Sequence, residues 1–131
     1  MAPLPTSLVG YRVSYEAIEQ YCDLKSPLMH SNRLLVEDFE SKIGIPLALV
    51  RVESDEDGGA APDHYYICCF ADYSGRPYTT EELSAVPVPS AFHQLPQLIP
   101  VEGELCRLFA PRSVVSTGGV RPTSYIVGGH V

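Results

Sequence analysis

A chain of 131 residues with 45% apolar and 19% charged side chains has the length and balance of one folded domain, and this composition excludes a disordered chain. A formal net charge of −7 excludes a surface built for nucleic acid or an anionic membrane and points to a basic or neutral protein partner. No apolar run approaches the ~18 residues of a membrane span, and the first residues lack the basic and apolar regions of a signal peptide. The expectation is therefore one soluble, cytoplasmic domain over 1–131.

In chain order, Ser7 to Val13 reads as a short strand interrupted by Gly10, a residue that inside strands marks a bulge or a close backbone approach. Ser14 has the chemistry of an N-cap, and Ile18, Tyr21 and Cys22 follow at helical spacing, with Glu16 and Glu19 in the opening turns where acids favour the helix dipole. The helix ends near Lys25. Ser26-Pro27 restarts a second one, whose stripe of Leu28, Leu35, Val36, Phe39 and Ile43 faces a core while Arg33, Glu37, Asp38, Glu40 and Lys42 face water. Gly44 and Pro46 stop it.

Two apolar runs come next, at about 45–52 and 64–70, separated by the acidic loop Glu53-Ser54-Asp55-Glu56-Asp57-Gly58-Gly59. They read as a β-hairpin. Leu47, Leu49 and Arg51 alternate with Ala48, Val50 and Val52, and Tyr65, Ile67 and Cys69 with Tyr66, Cys68 and Phe70, so both faces are largely apolar and both strands are internal. Asp72 to Pro77 is turn chemistry, and Thr79-Thr80-Glu81-Glu82 is a capping box opening a short third helix. The prolines at 87, 89, 96 and 100 predict an extended surface connector. Glu104 to Phe109 alternates weakly as a strand, and Thr117-Gly118-Gly119-Val120 suggests a second hairpin within a C-terminal segment, 110–131, that is expected to be flexible. The fold class is α+β: a mainly antiparallel sheet around the central hairpin, packed by two N-terminal helices and the short third one.

Charge is unevenly placed. From Glu37 to Asp63 there are eight acids against Lys42 and Arg51, whereas from Cys106 onward there are three arginines and no acid. The expectation is a solvated loop and an independent tail; docking of tail on loop is the alternative. Glu53 to Gly58 imitates the start of an EF-hand loop, but the first ligand is glutamate, the twelfth position is His64, and a strand follows where a helix belongs. It therefore reads as an acidic turn, with no metal and no cofactor assigned.

Cys22, Cys68, Cys69 and Cys106 form no C-x-x-C pair, and vicinal Cys68 and Cys69 on a strand point to opposite faces, so they read as buried thiols rather than disulfides. Cys22, His30, Cys68 and Cys69 lack the paired spacing of a zinc site. Eight tyrosines and no tryptophan, with Tyr65, Tyr66, Tyr73 and Tyr78 close together, suit an interface.

These readings converge on a non-enzymatic, acidic protein-interaction module, of the inhibitor or adaptor kind, that binds a basic or mixed partner or itself. Its candidate partner-binding residues are Glu53, Asp55, Glu56, Asp57, Tyr65, Tyr73, Arg76 and Tyr78; no catalytic residue is assigned. The alternative is a small enzyme or ligand-binding domain with a pocket lined by Tyr65, Tyr66, Cys68 and His93.

Overall fold

A computed structural model describes residues 4–25, 32–53, 64–74 and 77–117. Strand β1 (Leu4–Val13) leads into helices α1 (Tyr15–Lys25) and α2 (Asn32–Ile43), then β2 (Ala48–Val52) and β3 (His64–Asp72). Helix α3 (Thr80–Ala85), a 3₁₀ segment (Ser90–Gln94) and the short helix α4 (Leu95–Leu98) precede β4 (Cys106–Thr117). All four strand pairings are antiparallel, and the order β1-β3-β2-β4 closes into a barrel.

The α+β class, the antiparallel pairing and the β2–β3 hairpin at the centre of the strand order agree with the sequence reading, and the sheet around that hairpin closes into a barrel. The strands have two apolar faces because each faces a different core. Leu8, Ala48, Val50, Tyr66, Cys68, Ala71 and Ala110, contributed by all four strands, fill the lumen. Val9, Tyr11, Val13, Leu49, Ile67 and Phe70 face outward into a second core with the helices, where Phe39, Leu35, Phe92 and Leu95 are fully buried.

Gly10 makes the tight curvature feasible. A β-carbon there would lie 2.5 Å from the Ile67 carbonyl oxygen and 2.8 Å from both the Cα and the Sγ of Cys68. The register shifts at the same point: Val9 opposes Phe70 and Gly10 opposes Cys68, so Cys69 has no partner on β1. That bulge corrects the expected alternation. Cys68 and Cys69 do face opposite sides, but Phe70 joins Cys69 in the helix-facing core instead of sharing a side with Cys68 and Tyr66. A second irregularity lies where Leu4 opposes Ser113 and Thr6 opposes Ala110, three residues of β4 against two of β1. It accommodates Pro111, which has no N–H to offer a ladder.

The helix boundaries follow their capping residues. Ser14 Oγ accepts the Ala17 N–H at 3.0 Å. Gly44, at φ +85°, ends α2 with its N–H on the Glu40 carbonyl at 2.7 Å. In α3 both halves of the Thr79–Glu82 capping box are formed. Of the expected α2 stripe, Leu35, Val36, Phe39 and Ile43 are buried, and Leu28 lies outside the described residues.

The proline-rich stretch departs from the extended connector. The 3₁₀ segment and α4 bury Phe92, Leu95 and Ile99, spaced by three and four residues. Pro89 precedes the first turn and Pro96 lies in the first turn of α4, where no N–H is required, so the prolines punctuate helical turns instead of preventing them. Residues 110–117, at the head of the C-terminal segment, are strand; the second hairpin turn and all beyond it lie outside the described residues.

Polar contacts tie the helices down. Tyr21 donates its hydroxyl to Asp38, and Lys42 reaches Tyr21 Oη at 2.8 Å and Asp38 at 3.1 Å, joining α1 to α2. Arg107 of β4 donates to the carbonyls of Leu83 (2.6 Å) and Val86 (2.9 Å), so the barrel supplies the cap for the end of α3. Ser7, by contrast, is fully buried and its hydroxyl has no partner among the described residues.

Two substitutions test this account. Gly10→Ala is expected to cost about 2–3 kcal/mol, because backbone rather than a flexible side chain must give way. Gly44→Ala meets no neighbour, and is expected to cost about 1 kcal/mol through its positive φ. Urea unfolding that ranks the two equally would refute the close-approach argument. Ser7→Ala is expected to raise stability by about 1 kcal/mol, because it removes a buried hydroxyl that makes no hydrogen bond; a loss on urea unfolding would show that this hydroxyl is paired in solution.

Candidate functional site

The acidic loop leaves the barrel where β2 ends and β3 begins, with Val52 opposite His64 and Arg51 opposite Tyr65. Glu53, the first residue after β2, is held from two sides. Its N–H donates to the Arg112 carbonyl at 2.9 Å, and its carboxylate receives Arg112 at 3.3 Å and Arg51 at 3.7 Å. Docking of the basic C-terminal part on the root of the acidic loop, the alternative in the sequence reading, is thus present at Arg112.

Tyr65 lies between Val13 of β1 and Arg51 of β2. Its ring packs against Tyr15, with centroids 5.7 Å apart and planes tilted by 37°. Tyr15 is the first residue of α1 and is 54% exposed. Glu19, one turn along, raises the Tyr15 hydroxyl pKa by its charge and by a hydrogen bond. Both favour the protonated phenol, so Tyr15 presents a neutral ring beside a carboxylate.

The other tyrosines serve different ends. Tyr78 donates its hydroxyl to Asp72 at 2.5 Å and meets Phe70 edge-on at 5.8 Å, while Asp72 also accepts the Ser74 N–H at 2.9 Å. This contact anchors the segment that leads into α3. Tyr73 is half-buried just beyond β3. Asp55, Glu56, Asp57 and Arg76 lie outside the described residues. Of the candidate binding residues, Glu53 and Tyr65 therefore share one end of the barrel, and Tyr78 is turned to structural use.

Tyr65, Tyr66, Cys68 and His93 do not converge on one cavity. Tyr66 and Cys68 face the lumen, Tyr65 faces outward toward Tyr15, and His93 is exposed on the 3₁₀ segment, with its Nδ1 3.2 Å from the Tyr11 hydroxyl. A shallow surface depression lies elsewhere, against Glu40, Gly44, Ile45 and Pro46.

All four cysteines are free thiols. Burial pushes the Cys69 thiol up to about 12 and Cys68 well above its ordinary value. Cys22 is also raised, by burial and then by Asp23 and Glu19. Thiols held protonated in this way are poor nucleophiles and poor metal ligands. Among the described residues no group of three or more His, Cys, Asp or Glu is placed to hold a metal ion, and no helix is long and apolar enough to cross a membrane. No known protein family, curated protein or solved structure matches the chain.

The sequence reading passed over Tyr15, which lies three and seven residues before Ile18 and Cys22, at the edge of their stripe, so that its place directly after the cap was the one sign of an outward position. The Arg112–Glu53 contact carried no comparable sign, because it depends on β4 lying beside β2.

The buried thiols make stability depend on alkaline pH. An unfolded thiol loses its proton near its ordinary value of 9.0, whereas Cys69 keeps it to about 12. The unfolded state then binds fewer protons, so the stability present below pH 9 falls as pH rises to 12, by about 1.4 kcal/mol per pH unit for each such thiol. Urea midpoints measured from pH 8 upward in wild type and in Cys69→Ala are expected to show the shallower decline in the variant. Parallel declines would sink this assignment.

Proposed function

We propose that this protein is a non-enzymatic interaction module, which binds a basic or mixed protein surface with the end of the barrel from which the acidic loop departs. The observation that carries this reading is the solvent-facing Tyr15–Tyr65 pair beside the root of that loop. Tyrosine brings large contact area at small entropic cost, and aromatic residues are enriched in protein interfaces. The overall charge of −7 supports a basic partner by accelerating encounter and disfavouring acidic competitors.

Two further features agree with binding rather than turnover. The lumen is filled by side chains, so the barrel acts as a scaffold, and the buried thiols are held protonated. Ring closure also pairs both edges of each strand over much of its length. A partner therefore meets side chains, and strand addition at an open edge is not the mode of recognition.

Calorimetric titration of the full chain with a basic peptide containing both lysine and arginine tests the proposal. Saturable binding is expected, weakening as salt rises from about 0.01 to 0.15 M and the screening length shrinks. The combined variant Asp55→Asn, Glu56→Gln, Asp57→Asn is expected to bind about tenfold more weakly, if each charge contributes the ~0.5 kcal/mol typical of exposed pairs. Binding that ignores both salt and these substitutions would contradict the reading.

A further inference from the structure

We infer that the outer face of α1, headed by the Tyr15–Tyr65 pair, is the docking surface for an arginine-rich segment of a partner protein. The inference rests on the interaction reading above and narrows it to one helix face and one side-chain chemistry.

Among the described residues, helix α1 buries one side only. Ala17, Ile18, Tyr21 and Cys22 are buried, while Tyr15, Glu16, Glu19, Gln20, Asp23 and Leu24 face solvent. Leu24 is 86% exposed. Helix α1 carries three carboxylates, Glu16, Glu19 and Asp23, against the single Lys25 at its end, so it is net acidic, and Tyr15 and Leu24 add aromatic and aliphatic surface. Acids alone would attract any cation. The exposed tyrosine ring adds a preference, since a guanidinium stacks flat on an aromatic face while its N–H groups engage a carboxylate in the same plane, which a lysine ammonium cannot do. Glu19 lies four residues beyond Tyr15, one turn along the same side of the helix, so ring and carboxylate are presented together.

The protein's own arginines argue against a second copy as occupant. Arg12 is paired with Glu102 at 3.1 Å, Arg33 with Glu37 at 3.0 Å, and Arg51 and Arg112 with Glu53. Arg107 is spent on the end of α3. Every arginine among the described residues is thus engaged within its own chain, which favours a partner protein over a second copy as the source of the complementary charge.

The test is an amide NMR titration of the full chain with hexa-arginine and, separately, hexa-lysine peptides. Hexa-arginine is expected to shift Tyr15, Glu16, Glu19 and Leu24 and to bind more tightly than hexa-lysine. Tyr15→Ala, at an exposed position that leaves the core intact, is expected to weaken hexa-arginine binding about fivefold, with Glu19→Gln acting in the same direction. Shifts confined to residues 54–63 with Tyr15→Ala binding normally would overturn the α1 docking surface while leaving the acidic-loop reading in place. Equal affinity for the two peptides would overturn the arginine preference. Absence of binding to either would overturn both readings. Concentration-dependent shifts in α1 without peptide, with a dimer by light scattering, would give the face to a second copy and overturn the inference.

Discussion

The approach of β1 to β3 at Gly10 is the contact on which the rest of this structure depends. Closing a barrel with four strands demands strong coiling, and the place where the β1–β3 register shifts is the place where a β-carbon would collide with the Ile67 carbonyl. The bulge at Cys69 lies across from it and absorbs the mismatch in register. Once β1 and β3 are fixed, Leu8 and Cys68 face inward, Val9 and Phe70 face outward, and the two cores follow. Helices α1 and α2 then have a single apolar surface on which to settle, and this settles Tyr15 against Tyr65.

The two cores divide the labour. The lumen holds Leu8, Tyr66, Val50, three alanines and the Cys68 thiol, and contributes rigidity. The larger core beneath the helices holds Phe39, Phe70 and Phe92 and the buried leucines Leu35, Leu47, Leu49, Leu83 and Leu95. Polar groups between them are handled individually. Thr6 and Ser113 satisfy one another across β1 and β4, with their hydroxyl oxygens 2.6 Å apart, and Asp72 is shared by Tyr78 and Ser74. The surface chemistry is thereby displaced to the ends of the barrel and to the outer side of α1.

Much of this was legible in the sequence where the signal is local. Ser14, Gly44 and the Thr79–Glu82 box are read from neighbours within four residues, and each behaves in the structure as capping chemistry requires. The apolar character of both hairpin faces correctly required cover on both sides, but it could not distinguish a sheet between two layers from a barrel whose second cover is its own far wall. That distinction depends on β4 reaching both β1 and β2, a pairing with no local mark. The Phe92, Leu95 and Ile99 spacing was present but outweighed by the prolines around it. The acidic loop was visible as charge, whereas the role of Glu53 as its anchor depended on Arg112, 59 residues away.

Ring closure by β4, the last of the described strands, has a consequence for how the chain must be made. During synthesis β1, β2 and β3 emerge well before β4, and until residue 117 is available β1 and β2 are the two outer strands of an open three-stranded sheet with bare hydrogen-bonding edges. The lumen residues of that sheet face water throughout the interval. Nascent or truncated chains that stop short of Cys106 therefore resemble sticky sheet fragments, and their safe passage depends on the speed with which the final segment zips into place or on a chaperone that covers the opening.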